Sequence, residues 1–417
     1  MNIGPIGRPK VGLTLQPDGA FLELVRPLDV DYYEVAPETL WGPDLAPNGF
    51  QRKILAFPSR PFVAHGVGLS MATADARDAP RRAKWIAAMK RDQRTFAFQW
   101  YTDHLGASTL DARALTLPLP APMSAFSAST VRSRLEEMRA VVPDVGVENN
   151  VAYFLLGDAL DEPAFITAAI GDFGHVLLDL HNLHTMALNH RFDPLAYLAR
   201  LDLARVIEIH VSGGAESDPA WLPGGRTMRL DSHDHAVPEE VWALLEYVVP
   251  RCPNLRGVTL ERMEGTVRPE DVPVLRAEIT RARAIVLAAK PVPAAAPTAR
   301  AKLVASSAEE HAIIESKLAD AMTARDPLAV LRGAPGLSPE MHAALAQASP
   351  DGVRISALLV AQLRFERLIR GSGTSDAWFA RDPAGFTAAF RAYHAAVPPT
   401  AFSPWAEAAL FEAFQRD

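Results

Sequence analysis

The stretch that decides the fold is His175–His190, HVLLDLHNLHTMALNH. Val176, Leu177 and Leu178 form an apolar run with no polar face, as a strand buried on both sides requires. The run ends in Asp179, His181, Asn182 and His184, all able to bind a metal or move a proton. A strand that turns from apolar to ligand-rich at its C-terminal end is what a (β/α)8 barrel presents at its catalytic face. The bland alternative is a capped helix start, with Asp179 or Asn182 satisfying free N–H groups. It loses ground because the pattern recurs along the first two-thirds of the chain.

Working outward, short strand-like runs fall at Val11–Leu15, Tyr32–Val35, Phe62–His65, Phe96–Trp100, Val145–Glu148, Val176–Asp179, Val206–His210 and Val258–Glu261. Amphipathic segments such as Pro80–Arg91 and Thr130–Val142 lie between them. Such alternation implies a parallel sheet, and about eight strands imply a closed TIM barrel, an α/β fold, over residues 1–288. A doubly wound open sheet competes, but no G-x-G-x-x-G or Walker-type loop follows an early strand. The Pro/Ala-rich string Ala288–Val304 reads as a semi-rigid linker, assigned to 289–305. Residues 306–417 read as a small all-helical domain, with Ser338-Pro339 and Ser403-Pro404 as helix starts. His311, His342 and His394, scattered along those helices, read as ordinary surface or core histidines. The cluster of Trp378, Phe379, Phe386, Phe390, Trp405, Phe411 and Phe414 is first of all core, with any remainder free to form a docking groove.

Composition narrows the function. At 417 residues the chain exceeds one compact domain, and 49% hydrophobic with 22% charged residues is ordinary for a folded soluble protein. A formal charge of -7 argues against non-specific nucleic-acid binding, which needs a basic surface. The single Cys252 excludes an internal disulfide framework and a Cys-rich metal cluster. The N-terminal residues lack the apolar core of a signal peptide and no run is long enough to span a bilayer, so no membrane association and a cytoplasmic location are expected.

Set against those strands, the polar residues fall into place. His65 closes the third strand, and Asp103 and His104 follow the fourth. Glu148 closes the fifth, followed by Asn149 and Asn150, and Asp179 closes the sixth, with His181 and His184 beyond. His210 closes the seventh, Asp231, His233 and His235 lie in the loop LDSHDHAV, and Glu261 closes the eighth. Glu34 and Glu38 are weaker candidates, since an acid there also caps the next helix. On a barrel these ends converge on one mouth. Mixed imidazole and carboxylate ligands suit iron, manganese or zinc, and their number exceeds what one ion needs. Asp231 and His233, spaced i and i+2 on an extended loop, can point to one side while Ser232 faces away.

The motifs EVAPETLW, AHGVGLSMA, TDHL, VENN, LLDLHNLH, NHRFDP, EIHVSGG, DSHDHAV and TLER, in this order, resemble the multinuclear non-heme iron-dependent oxidative enzymes. That family, formerly domain-of-unknown-function family 692, includes the methanobactin-biosynthesis oxidase. The resemblance covers roughly Lys10 to Lys290. It implies a TIM barrel holding two or three iron ions and acting with O2 on ribosomally made precursor peptides, usually at cysteine. It also implies a small partner protein that presents the peptide. Carried over by motif, the metal ligands are His65, His104, Glu148, Asp179, His210, Asp231, His233 and Glu261. Asn149, His181 and Asn182 follow as possible ligands or groups that orient them, and His184, His235 and Glu34 join that second set from their places in the sequence. The chain departs from the family at Ala36, where many relatives carry histidine, at Gly214, and at Arg262 and Met263.

The leading expectation is therefore an iron- and O2-dependent oxidase of a precursor peptide, its helical domain a candidate fused partner that replaces the separate presenting protein. The alternatives are a metal-dependent sugar isomerase or phosphodiesterase on a similar barrel, and a non-catalytic peptide-binding protein. The last is disfavoured because unpaired buried carboxylates and histidines are costly without a metal.

Overall fold

The structure, a computed structural model, describes residues 8–293 and 303–416. Part of the linker assigned to 289–305, residues 294–302, lies outside the described residues. Eight parallel strands close a barrel: β1 (Lys10–Leu15), β2 (Tyr32–Val35), β3 (Phe62–Gly66), β4 (Tyr101–His104), β7 (Val145–Glu148), β8 (His175–Asp179), β9 (Val206–Val211) and β10 (Gly257–Leu260). A hairpin of β5 (Ala107–Leu110) and β6 (Arg113–Leu119) rises from the C-terminal end of β4. The barrel is closed by pairing of β1 with both β2 and β10.

Two of these features differ from the sequence reading. The fourth strand is Tyr101–His104, not Phe96–Trp100. The alternating aromatics of TFAFQW imitate a strand, but the helix Ala79–Phe96 runs on to a left-handed cap at Ala97 (φ 50°). Phe96 and Phe98 then stack on each other, ring centroids 5.3 Å apart. Asp103 and His104 thus sit within the strand, and its alternation separates them. His104 faces the barrel interior beside Glu148, whereas Asp103 is bonded by the Tyr101 hydroxyl on the other side. The hairpin was not anticipated either. Its turn places Asp111 and Ala112 at φ 48° and 58°, a conformation usually signalled by Asn-Gly or Gly-Gly.

The same period of two builds the interior in layers. Each candidate ligand sits two residues beyond a residue lower in the barrel: Tyr32 below Glu34, Val63 below His65, Leu177 below Asp179, Glu208 below His210, Thr259 below Glu261. Tyr32, Val63, Trp100 and Ile207 form an apolar plug at the lower end. Tyr32 fills space that two glycines leave open, since a Cβ on Gly12 would stand 2.3 Å from its ring and one on Gly257 2.3 Å from its hydroxyl. The floor of the mouth is thereby closed to water from below.

The C-terminal region is all helical: Ala308–Ala321, Pro327–Arg332, Pro339–Ala346, Pro350–Gly371, Gly373–Arg381, Pro383–Ala396 and Pro404–Phe414. It packs on loops that leave the C-terminal ends of the barrel strands. Glu315 accepts from the Asp75 N–H (3.2 Å) after β3, His311 meets Ser124 (3.1 Å) beyond the hairpin, and Asp351 forms a two-pronged pair with Arg226 after β9. Ile314, Leu318, Met322, Met341 and Val353 join the apolar core of the barrel. Leu368, Phe386, Phe390, Tyr393 and Phe411 form a second core, against which Trp378, Phe379 and Phe414 pack. The aromatic cluster is thus mainly core, with Trp405 left exposed. No helix among the described residues is long and apolar enough to cross a membrane.

Candidate metal centre

Residues from seven strand ends and one loop converge at the mouth. His65 Nε2 and His104 Nε2 lie 3.3 and 3.2 Å from the same oxygen of Glu148, Oε2. His210 Nδ1 lies 3.8 Å from both Glu148 Oε1 and Asp179 Oδ2 and 3.1 Å from Glu261 Oε2. His233 approaches Glu261 at 3.6 Å and Asp231 at 2.6 Å, and His181 Nδ1 is 3.3 Å from the same Asp231 oxygen. Three of the overlapping groups span the mouth: His65, His104 and Glu148; Glu148, Asp179 and His210; His181, Asp231 and His233. Asp179, His233 and Glu261 join the last two.

The local sequence explains how each is held. Asp179 ends β8 and caps the helix Leu180–His190, its Oδ1 accepting from the Asn182 N–H at 2.7 Å. Its other oxygen, Oδ2, has no hydrogen-bond partner and faces the cluster. Capping and ligand geometry thus coexist in one side chain. Asn149 donates to the Asp179 carbonyl and accepts from its N–H (both 2.9 Å), stitching the ends of β7 and β8 together, so its amide is already committed. Asn182 donates to Glu148 Oε1 (3.3 Å) and to the Asn149 carbonyl (3.0 Å). Glu34 stands behind His210, meeting its Nε2 at 2.9 Å while accepting from Thr14 at 2.7 Å. Thr102 likewise meets His65 Nδ1 at 3.0 Å, leaving Nε2 toward Glu148. A carboxylate or hydroxyl on the far nitrogen fixes which imidazole nitrogen faces a metal.

Asp231 and His233 come from a loop without regular structure, and His233 has φ 49°. That backbone is uncommon for a residue with a side chain and marks a position held by its surroundings. His181 is fully buried in the same cluster, and a Cβ on Gly214 would come within 3.0 Å of its ring, so the side chain missing at Gly214 leaves His181 its space. His184 joins none of these groups, and His235 is exposed and paired with Asp234 at 2.6 Å. Glu38 accepts from the Val67 N–H at 2.6 Å. Sequence reading missed Glu208, which receives hydrogen bonds from Trp100 (2.6 Å) and Thr259 (2.6 Å) one layer below. Its phase with His210 in VIEIH was the available signal.

The electrostatics of the cluster suit a cation. Burial, reinforced by Asp179 and Glu261 and opposed by His104 and His210, pushes Glu148 up to about 8. Burial also raises Asp179. Burial would depress His233, but Asp231 and Glu261 outweigh it and carry the imidazole up to about 10. Glu148 Oε2, Asp179 Oδ2 and His233 Nδ1 lack hydrogen-bond partners although buried, while His233 Nε2 is held by Asp231 at 2.6 Å. Orphaned lone pairs of oxygen and nitrogen converging in a dry site are costly unless shared with cations. The residues therefore fit divalent metal, with hard oxygen and imidazole donors and no thiolate.

Loading must then displace protons. Metal uptake near pH 7 is expected to release protons, and affinity to rise with pH as Glu148, at about 8, and His233, at about 10, give theirs up. Titration calorimetry in two buffers of different ionisation enthalpy measures the release; proton-neutral uptake would contradict it.

The comparisons bear on the same region. A UPF0276 protein of Bordetella bronchiseptica is 31% identical over 290 residues, covering 67% of this chain and 95% of its own length. One from Caulobacter vibrioides is 31% identical over 284 residues, covering 65% and 93%. Among solved structures, D-psicose 3-epimerase from Clostridium cellulolyticum H10 aligns with 66% of this chain and 99% of its own at 13% identity and a TM-score of 0.44. The family model described as "RiPP precursor modification enzyme MbnB/TglH/ChrH" matches residues 10–287, the whole barrel with its converging histidines and carboxylates. The chain belongs to this family of enzymes that modify precursors of ribosomally synthesised and post-translationally modified peptides.

Proposed function

We propose that the protein is an iron- and O2-dependent oxidase that modifies a ribosomally made precursor peptide at a cysteine. The ligands would be His65, His104, Glu148, Asp179, His210, Asp231, His233 and Glu261, with His181 added from its place beside Asp231. The observation that carries the reading is the convergence of buried carboxylates and imidazoles in overlapping groups, with Glu148 Oε2, Asp179 Oδ2 and His233 Nδ1 left without hydrogen-bond partners, in a peptide-modifying family. Bound iron would supply the one-electron chemistry with O2 that no side chain here offers. The chain's own residues do the rest. Glu148, shared between two groups, would hold neighbouring ions at a fixed spacing. Glu34 holds His210 with Nδ1 facing the cluster, and the apolar plug excludes water from below. The helical region, seated on the loops around the mouth, takes the place of a separate peptide-presenting protein.

Protein purified without oxygen should contain two or three irons per chain. With a cysteine-containing precursor peptide as substrate it should consume O2 and change the peptide's mass at cysteine. Zinc or manganese in place of iron, with no O2 uptake, would move the reading to a hydrolase or isomerase. Glu34→Gln tests the positioning role: metal affinity should fall by roughly 10–100-fold. The pH dependence of metal uptake should shift while the fold is kept, an effect that a merely space-filling Glu34 would not produce.

A further inference from the structure

A cleft of about 950 Å3 opens where the C-terminal helices meet the loop after β9, lined by Trp221 and by Ala357, Leu358 and Ala361 of the helix Pro350–Gly371. Arg354, Leu358 and Ala361 follow at i, i+4 and i+7, one stripe of that helix. Leu358 is 42% exposed, a large apolar side chain left open beside cations. Those cations are Arg325, Arg354 and Arg391, each from a different segment and all exposed. None of them has an ion pair or side-chain hydrogen bond among the described residues. Neighbouring arginines do, Arg364 with Glu407 and Arg370 with Glu264. The single acid of the lining, Asp326, already caps a helix through the Ala329 N–H at 3.1 Å. Arg354 feels only the longer-range field of Asp351, whose carboxylate is already forked onto Arg226. On a chain of net charge -7, a cleft with three arginines free of close ion pairs is not a by-product of basic composition.

We propose that this cleft binds an acidic peptide segment that carries an aliphatic or aromatic anchor. Carboxylates meet the arginines in forked pairs, and the anchor covers Leu358 and Trp221. A nucleic acid would use the cations but leave the aliphatic stripe uncovered. The inference rests on the reading of the substrate as a peptide and names which part of it is held, and where. Trp221 stands at the tip of an excursion whose base is closed by the bridges Gly213–His235 and Glu216–Arg229. Asp231 and His233 lie at that base. Ten residues separate Trp221 from Asp231, a reach of at most roughly 35 Å. A tether of about ten extended residues between the acidic segment and the modified residue spans that distance.

The test uses the full-length, iron-loaded protein and fluorescence anisotropy of a labelled peptide of six Glu and three Leu. A Lys-for-Glu counterpart and a twelve-nucleotide single strand serve as competing probes. The Glu peptide should bind, weaken as salt rises from 50 to 500 mM, and lose at least tenfold in affinity to the triple variant Arg325→Glu, Arg354→Glu, Arg391→Glu. Leu358→Asp should also weaken it, with metal content unchanged in every variant. The proposal is overturned if the Glu peptide fails to bind, if the triple variant binds it as the parent does, or if the Lys peptide or the oligonucleotide binds more tightly. Anisotropy needs no turnover, so the two readings fail separately. Binding without O2 consumption by any precursor would sink the oxidase reading alone, and oxidation of a precursor unaffected by the triple variant would sink the cleft alone.

Discussion

Glu148→Gln is expected to strip most of the metal from the mouth and, at the same time, to stabilise the metal-free protein. Glu148 is common to two of the candidate groups, with His65 and His104 on one side and Asp179 and His210 on the other. An amide of the same shape keeps one oxygen but loses the charge, so metal affinity should fall by ~100-fold or more. The opposite sign in the metal-free state follows from linkage. An unfolded Glu ionises at about 4.3, whereas the folded carboxyl is pushed up to about 8. Between those values the folded chain holds a proton that the unfolded chain has released, so metal-free stability falls as pH rises through this window. Gln has no charge to desolvate and removes that slope. At pH 8 the metal-free variant should melt higher than the metal-free parent, by roughly 2 °C or more. Full metal content in the variant, or a lower melting point without metal, would show that Glu148 is only a hydrogen-bonding core group.

The convergence of the candidate residues was legible because barrels write their mouths in a simple code. An apolar run ending in a lone His, Asp or Glu needs only a strand of period two to turn that side chain inward. Val176–Asp179 and Val206–His210 obey it without interruption. Where sequence reading failed, a second code overlapped the first. Phe96, Phe98 and Trp100 alternate like a strand, but Phe96 and Phe98 stack on each other around a helix end while Trp100 enters the plug at the bottom of the barrel. Glu208 was passed over because a carboxylate inside an apolar strand has no local partner in sequence. Its partners, Trp100 and Thr259, arrive from two other strands. His181 could not be told from a helix-capping neighbour until Asp231, fifty residues on, was seen beside it. The particular loops on which the C-terminal helices seat were hidden for the same reason. Their amphipathic pattern says that a face is buried and not against what.

That seating has a consequence for the loop carrying Asp231 and His233. Ile355 is fully buried in a cluster with Val151, Tyr153, Leu222, Met228 and Leu230, so one helix packs on the segments flanking Glu148 and Asp231 at once. Tyr153 ties them further, its hydroxyl accepting from the Asp231 N–H at 3.2 Å. One turn before Ile355, Gly352 brings the helix against the backbone: a Cβ there would stand 1.8 Å from the Tyr153 carbonyl oxygen. Gly352→Ala must therefore move the helix or the Tyr153 segment, since a backbone carbonyl cannot rotate aside as a side chain can. Overpacking of this kind costs about 1–3 kcal/mol. The displacement should fall on the group His181, Asp231 and His233, and spare His65, His104 and Glu148. The expected result is loss of about one metal per chain with helical content unchanged. Gly373→Ala is the matched control, because nothing lies within 4 Å of a Cβ at that position. If Gly352→Ala retains the metal content of Gly373→Ala, the helical region only covers the barrel, and the loop holds Asp231 and His233 in place without it.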